Sequence, residues 1–494
     1  MHSRRPPFLV ILALAITATL ASAQQDQERR LLANKLAQQA ADAFEINDYP
    51  KAEQALRRQL VLQPGNFVVM YNLGCALAMQ GESEQAADFI VRAVEHGFTD
   101  LAHVERDPQL ASVRDEPAIR GLRDRWPEVL IAQAENNLKD AQRTFAKGYE
   151  VTRDEHLKVI YLSSFNPKSF EAVRAELARI AEWSQASLFP DLFDPGASRD
   201  DAWVVVVLPG KSDFASWARA SFGNDAVQGN SMIAGSYMHD QKRLVAMDLG
   251  ATLRHEFLHA LHWRVSTRRG QAHPLWILEG LGTLVEDYDL TAEGALAPAV
   301  SWRTNTAKRI EKINKLIPLA RLSSMTHAQF AGQRPLANYA QSRAFFLYLQ
   351  QRGVLRDWFT EYQGSFREDR SGLASLERIL RRSHAEIDAD FKAWVRLLPA
   401  VPEEIKPGMA SLGVEVDAGS GEGPVIAAPP RRADGSRIDL RLGDIIQAID
   451  ERPTRDLAEL VRVLSGYEPG AEVTVSYRRG SLMREAAVTL LRAP

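Results

Sequence analysis

The sequence predicts a multidomain protein with an all-α repeat region, an α+β domain and a small β-rich domain. Three observations lead to this prediction. A ten-residue pattern near the start of the chain recurs after 34 residues, a His-Glu-x-x-His pentad occupies residues 255–259, and a proline-containing linker at 399–409 precedes a succession of short strand-like segments. With 494 residues the chain is long enough for two to four domains with separate cores.

Composition and the amino-terminal segment indicate where the protein acts. The net charge of −3 is close to neutral and the basic residues are spread along the chain, which gives no sign of nucleic-acid binding. Arg4 and Arg5 precede an apolar run, Phe8–Leu20, and the small residues 21–23 follow it. We therefore predict a signal peptide over 1–23 and an exported protein, in the bacterial periplasm, with no membrane span in the mature chain.

Residues 24–126 are predicted to form helical repeats. The segment Asn47–Leu56 recurs 34 residues later as Gly81–Ile90, and this spacing is the tetratricopeptide period. Because each such unit buries a face against its neighbour, the helical segment 101–126 is expected to cap the stack. The region can serve as a concave surface for a partner protein or as a spacer, and both alternatives stay open. A helical connector is predicted over 127–152.

Residues 153–398 are predicted to form the α+β domain. Leu157–Leu162 and Trp203–Leu208 are strand-like, and the second is a β-branched run typical of a buried strand. The segments Ile233–Met238 and Arg243–Met247 follow and are expected to pair as a hairpin. Helical segments come after these strands, which is an α+β order.

The pentad supplies the candidate metal site of this domain. Residues four apart lie on one face of a helix, so His255 and His259 can bind a common ion, while Glu256 projects about 100° around the helix toward a metal-bound water. Glu279, on a second helix that Pro274 opens, offers a third ligand. Two histidines and one glutamate with an open fourth position form a standard catalytic zinc set, so the predicted cofactor is Zn²⁺.

These segments resemble a known family. Thr252–Leu261 and Pro274–Leu281 resemble the gluzincin zinc metallopeptidases, especially their bacterial peptidase MA-like branch. Asp154–Tyr161 resembles the opening strand of that branch, and Asn338–Leu349 resembles its helix after the active site. The resemblance covers about half of the chain. It implies peptide-bond hydrolysis by a metal-activated water, with an edge strand of the sheet accepting an extended substrate.

The resemblance also implies roles for residues around the metal. Glu256 would take the proton of the water, and Tyr339, at the start of the later helix, would stabilise the oxyanion. Many gluzincins place an acidic residue four positions after the third ligand, where this chain has Thr283. Glu286 and Asp287, about one turn further along, are predicted to orient the ligand imidazoles instead.

The last segment, residues 410–494, resembles a PDZ domain of the bacterial protease type. Leu442–Ile446 is its most diagnostic piece. In such domains the loop formed here by Leu412, Gly413 and Val414 presents backbone N–H groups to a carboxyl terminus, and the adjoining strand accepts the peptide. An insert over 429–435 lies on the usual route between two strands and bears on access to this groove.

The combined prediction is an exported zinc endopeptidase that docks protein or peptide substrates through its PDZ module and a partner protein through its repeats. The main alternative is a non-catalytic tetratricopeptide and PDZ scaffold with a degenerate or structural metal site. An aminopeptidase or another metallohydrolase is a further option. The sequence shows no exopeptidase signature that would anchor a free amino terminus.

Overall fold

The computed structural model describes residues 28–29, 31–145, 149–193, 202–208, 211–223, 235–238, 241–418, 421–428, 435 and 437–494. The predicted signal peptide and residues 429–434 of the predicted insert lie outside these ranges. The chain divides into two compact units, residues 1–133 and 134–494. Of the helices described, none is both long enough and apolar enough to cross a membrane.

The first unit is helical, as predicted. Its elements are α1 (31–45), α2 (Tyr49–Leu62), α3 (Phe67–Ala78), α4 (Ser83–Glu95), α5 (Leu101–Arg106), a 3-10 turn (Pro108–Leu110) and α6 (Pro117–Asp124). Helix α3 packs against both α2 and α4. The apolar side chains of α5 and α6 belong to the same buried cluster as those of α2–α4. A further helix, α7 (Trp126–Phe145), runs on into the second unit.

The 34-residue repeat is visible in the backbone of this unit. Asn47 and Gly81 both have positive φ angles, 58° and 84°, and a helix begins two residues after each of them. Gly74 of α3 is needed for close packing, since a Cβ at this position would lie 2.9 Å from Ile90 Cδ1 of α4. The same turn conformation therefore repeats with the period found in the sequence.

The second unit begins with a mixed sheet. Its strands are β1 (Glu150–Asp154), β2 (Val159–Ser163), β3 (Trp203–Val207), β4 (Gly235–Met238) and β5 (Arg243–Ala246), with α8 (Pro167–Ser187) and α9 (Lys211–Phe222) between them in sequence. The order is β1-β2-β3-β5-β4, in which β2, β3 and β5 are parallel and the outer strands antiparallel. The predicted hairpin is present as β4 and β5. The prediction of a helical connector over 127–152 was wrong at its end, because residues 150–152 belong to β1. The side chains of this strand are all partly or fully exposed and give no apolar pattern.

Helices follow the sheet and form most of the remaining core. They are α10 (Ala251–Arg268), α11 (Leu275–Leu284), α12 (Trp302–Lys312), α13 (Leu319–Leu322), α14 (His327–Gly332), α15 (Pro335–Gln351), α16 (Leu355–Ser365), α17 (Leu373–Leu380) and α18 (His384–Leu397), with a hairpin of β6 (Tyr288–Leu290) and β7 (Leu296–Pro298) after α11. Helix α11 packs against both α10 and α15. Gly280 permits this approach, because a Cβ there would lie 2.5 Å from the Phe346 ring.

The carboxyl-terminal part is β-rich. Its elements are β8 (Ala410–Ser411), β9 (Val416–Asp417), β10 (Val425–Ile426), β11 (Ile445–Ile449), β12 (Arg452–Pro453), α19 (Leu457–Leu464), β13 (Glu472–Arg479), β14 (Leu482–Thr489) and β15 (Leu491–Arg492). The main sheet has the order β14-β13-β11-β10-β9. Alternate residues of β13 are buried, as expected of a strand with one face on the core.

Candidate metal centre

Helix α10 carries both histidines of the pentad. Its start is fixed by Asp248, whose Oδ1 accepts hydrogen bonds from the backbone N–H groups of Gly250 and Thr252 at 2.9 and 3.2 Å. Because His255 and His259 are about one turn apart, their ring centroids lie only 4.6 Å from each other. Both side chains are buried. The helix therefore presents two imidazoles to the same point.

Helix α11 brings Glu279 to these histidines. Glu279 Oε2 lies 3.1 Å from His255 Nε2 and 3.5 Å from His259 Nε2. Gly282, about one turn further along, allows this approach, since a Cβ at that position would lie 3.0 Å from the His255 ring. The structure thus brings the three predicted ligands together, with their ligand atoms all within 4.8 Å of one another.

The geometry and charge of this cluster fit a zinc ion. Bonds of about 2.0–2.1 Å in a tetrahedral site separate two ligand atoms by about 3.3–3.4 Å, and the two distances to Glu279 Oε2 bracket that value. Burial acts to raise the pKa of Glu279, but His259 and His255 lower it below its usual range. The carboxylate is therefore ionised, as a metal ligand must be.

Glu286 lies behind one of the imidazoles. Its Oε1 is 2.9 Å from His255 Nδ1, the ring nitrogen that faces away from Glu279. Arg303 of α12 holds the same carboxylate through two nitrogens, with Nη2 2.9 Å from Oε1 and Nε on Oε2. Burial acts to raise the pKa of Glu286, but Arg303 and His255 lower it to about 2. An ionised carboxylate therefore fixes the ring of His255.

Asp287, the neighbouring residue predicted for the same role, contacts a different partner. Arg343 Nη2 lies 3.8 Å from Asp287 Oδ2 and donates to the Asp287 carbonyl oxygen at 3.0 Å. Arg343 is fully buried on α15. Asp287 thus links the end of α11 to α15.

Glu256 lies against the edge strand β4. A Cβ on Gly235 of this strand would be 2.5 Å from Glu256 Cγ and 2.7 Å from its Oε1. The glycine therefore lets the strand backbone pass directly beside the carboxylate. Burial raises the pKa of Glu256, while His255 and His259 act to lower it.

Two tyrosines lie beside the ligands. The ring of Tyr339, on α15, is 6.4 Å from that of His255. The ring of Tyr237, on β4, is 5.0 Å from that of His259. Burial and the charges of Glu279 and Glu256 raise the pKa of Tyr237 to about 12, and burial followed by Glu279 also raises that of Tyr339. Both phenols are therefore protonated at neutral pH and available as donors.

A second pair of histidines is separate from this cluster. His262, also on α10, has its Nε2 2.7 Å from His273 Nδ1. Burial lowers the pKa of both, that of His273 to about 3. The pair is therefore neutral and belongs to the apolar core around Phe359.

The predicted carboxylate-binding loop connects β8 and β9. Gly413, at its centre, has a φ of +70°, and its N–H donates to Ser411 Oγ at 3.1 Å. Leu412 is buried in the core of the β-rich part, and Val414 packs against that core. The shape of the loop therefore depends on the positive φ of Gly413 and on the packing of Leu412 and Val414 against the core.

Gly235, Tyr237 and Arg303 were not predicted from the sequence as parts of the site. Gly235 and Tyr237 lie two residues apart in a strand that was predicted, so strand alternation was a signal that they share a face. Arg303 lies 17 residues beyond Glu286, in another helix. No local periodicity indicates such a contact.

Comparisons with known proteins identify one part of the chain. The family model for the PDZ domain matches residues 410–490. No curated protein matches the chain. Among solved structures, an aminopeptidase N family protein from Idiomarina loihiensis is similar over 70% of this chain and 67% of that chain, with 14% sequence identity and a TM-score of 0.31. The chain therefore has a carboxyl-terminal PDZ domain, preceded by a mixed α/β region with a His-His-Glu cluster that can hold a metal ion.

Proposed function

We propose that the protein is a zinc-dependent endopeptidase. The observation that carries this proposal is the convergence of His255, His259 and Glu279, with Glu256 beside them on the same helix. The resemblance of the two segments that hold these residues to gluzincins supports it. Zinc bound at this cluster supplies Lewis-acid chemistry, since it brings the pKa of water toward neutrality and polarises the scissile carbonyl.

Glu256 moves the proton in this proposal. Its carboxylate accepts a proton from the attacking water and delivers it to the leaving amine. Burial raises its pKa, and a raised pKa makes a carboxyl group a better proton carrier near neutral pH. The absence of a side chain at Gly235 leaves room for the carboxylate beside the edge strand.

Tyr339 is the proposed oxyanion donor. Its phenol is protonated and lies beside Glu279, so it can donate to the oxygen that becomes negative in the transition state. Tyr237, on β4, lies beside His259. We propose that its phenol also donates to the oxyanion, in a supporting role.

An extended polypeptide is the proposed substrate. Strand β4 lies at one edge of the described sheet, and its backbone passes beside Glu256. An edge strand accepts an extended peptide by main-chain pairing. Main-chain pairing along an edge strand does not require a free substrate amino terminus, so this mode of binding favours an endopeptidase.

The other modules are proposed to recruit the substrate. We assign 24–126 to tetratricopeptide-like repeats that bind a protein partner, 127–152 to a connector, 153–398 to the peptidase, and 399–409 to a linker. Residues 410–494 are the PDZ domain, with a carboxyl-terminal peptide as its proposed ligand at the loop 412–414. Residues 1–23 are a proposed signal peptide that directs the protein to the periplasm.

The test uses two peptides of one sequence, with and without an acetylated amino terminus, and the zinc-loaded full-length protein. Internal cleavage of both peptides, found by mass spectrometry, is the expected result. Stepwise loss of residues from the free peptide alone would make the enzyme an aminopeptidase. Bound zinc without cleavage of either peptide or of an unfolded protein would favour the scaffold.

Substitution of Gly235 by Ala is expected to lower kcat by about 100-fold with bound zinc retained. The new Cβ would lie 2.5 Å from Glu256 Cγ, which is too close, and that side chain can rotate away, so the carboxylate moves while the fold remains. A shift of about 1 Å in a catalytic group costs on the order of 100-fold in rate. Gly364→Ala, on α16, is the matched control, because an added Cβ there meets nothing within 4 Å and the backbone conformation accepts Ala. Unchanged kcat in Gly235→Ala would contradict the placement of Glu256.

Substitution of Tyr339 by Phe is expected to lower kcat by about 100-fold with little change in KM. The ring and its packing remain, and only the hydroxyl that donates to the oxyanion is lost. Steady-state kinetics on an internally quenched peptide measures both constants. If Tyr237→Phe lowers kcat and Tyr339→Phe does not, the two tyrosines exchange roles.

A further inference from the structure

Four buried charged side chains meet where the PDZ domain contacts the α/β region. Arg254 and Glu176 come from α10 and α8, and Glu459 and Arg455 come from the PDZ domain. Arg254 donates to Glu176 Oε1 at 2.7 Å and to Glu459 Oε1. Arg455 lies with its Nε 4.0 Å from Glu176 Oε2. Two guanidinium groups and two carboxyl groups are thus buried together across the domain contact.

This cluster adjoins the metal centre. Arg254 directly precedes His255, and it donates from Nε to the Val285 carbonyl oxygen at 3.1 Å and from Nη2 to that of Glu286 at 2.5 Å. These carbonyls follow the last turn of α11, where the helix no longer supplies partners. Glu286 in turn contacts His255 Nδ1. Arg254 therefore fixes the backbone from which Glu286 reaches the ligand ring.

Glu459 completes the surroundings of Arg254. A buried guanidinium needs acceptors for its donors and an opposite charge nearby. Glu459 supplies both, and its other oxygen accepts from the Arg455 backbone N–H at 2.7 Å, which holds the carboxylate in place. Removal of the Glu459 charge would leave the cluster with an excess positive charge and Arg254 with one carboxylate fewer. The position of Arg254 therefore depends on a residue of the PDZ domain.

Further contacts fix the PDZ domain against both ligand-bearing helices. Before α10, the Leu249 N–H donates to the Gly421 carbonyl oxygen at 2.7 Å. After α11, Arg462 Nη2 donates to the Tyr288 carbonyl oxygen at 2.7 Å. The domain thus contacts the segment before the first ligand helix and the segment after the second.

We propose that Glu459 is a positioning residue for the metal site, and that the PDZ domain is a structural part of the catalytic centre as well as a module for docking. Glu459 acts through Arg254 on the backbone of 285–286, and so on Glu286 and His255. The inference rests on the proposed zinc peptidase.

The test is a double-mutant cycle in the full-length protein, with the zinc dissociation constant measured by competition with a chromogenic chelator. Glu459→Gln keeps the shape and removes the charge. We expect its zinc dissociation constant to rise about 10-fold, because loss of partners behind a metal ligand costs about 10–100-fold. In a Glu286→Gln background, Glu459→Gln is expected to raise the zinc dissociation constant by less than about 2-fold, because Glu286 no longer connects Arg254 to His255.

Arg452→Gln is the matched control. It removes an ion pair of the same domain contact, one that is partly exposed and does not touch Arg254. Its zinc dissociation constant is expected to match that of wild type. Peptide cleavage at saturating zinc gives a second readout, in which Glu459→Gln is expected to lower kcat about 10-fold with KM unchanged.

The outcomes separate this inference from the proposed function. If wild type binds zinc and cleaves peptide, while Glu459→Gln binds zinc and turns over as wild type does, the positioning role is wrong and the peptidase stands. An equal loss of zinc affinity from Glu459→Gln in the wild-type and Glu286→Gln backgrounds would also overturn the positioning role, because it would indicate general destabilisation. If Glu459→Gln does not fold, the cycle is measured with Glu459→Asp instead. Its effect on the zinc dissociation constant is expected to be smaller and to depend on Glu286 in the same way.

Discussion

Replacement of Glu256 by Gln is expected to lower kcat by about 1,000-fold or more while the protein keeps one zinc ion per chain. The amide has the shape of the carboxylate but cannot accept a proton from water. Glu256 is not among the three ligands that converge on the metal position, so the site remains intact. Turnover of a quenched peptide and zinc content by atomic absorption measure the two quantities.

The control for this substitution is Glu361→Gln. Glu361 lies on the surface of the same region, where it pairs with Arg378, and its loss is expected to leave turnover unchanged. Turnover in Glu256→Gln within about 10-fold of wild type would show that another group carries the proton. Loss of zinc from this variant would show instead that Glu256 is a ligand.

Replacement of His259 by Gln is expected to weaken zinc binding by more than about 100-fold and to abolish cleavage at stoichiometric zinc. Loss of a residue that contacts a metal ligand weakens metal binding by about 10–100-fold, so loss of a ligand itself should weaken it more. His259 Nε2 lies 3.5 Å from Glu279 Oε2, close to the separation of about 3.3–3.4 Å between two ligand atoms of one tetrahedral zinc ion. The measurement is the zinc dissociation constant by chelator competition.

His262→Gln is the matched control for His259→Gln. This histidine lies three residues further along the same helix and is also buried, but its partner is His273. Its replacement is expected to reduce thermal stability and to leave zinc binding unchanged. Equal loss of zinc in both variants would indicate that disruption of α10, and not loss of a ligand, explains the effect.

The parts of the structure with local periodicity were predictable from the sequence. The helix around His255 and His259, the second helix after Pro274 and the hairpin of β4 and β5 all appear where the residue pattern placed them. Each of these signals depends on residues within one or two turns, or on strand alternation. The 34-residue repeat could also be predicted from the sequence, and the structure has the same turn conformation at Asn47 and Gly81.

The surroundings of the metal centre were less predictable. The sequence offered both Glu286 and Asp287 as partners for a ligand histidine, and the structure places Glu286 at His255 and Asp287 at Arg343. The choice depends on how α11 ends, which no pattern of residue types reveals. The contact of Arg254 with Glu459 joins residues 205 positions apart. Such a contact follows from domain packing and has no local signal.

Zinc titration of the metal-free, full-length protein, followed by cleavage of an unfolded protein, measures whether one bound ion produces the peptidase activity. We expect cleavage to rise linearly with added zinc and to reach its plateau at one equivalent per chain, because one cluster holds one ion. Absence of zinc binding would contradict the metal site. A plateau of bound zinc without cleavage would contradict the peptidase and leave a metal-containing scaffold with a PDZ domain.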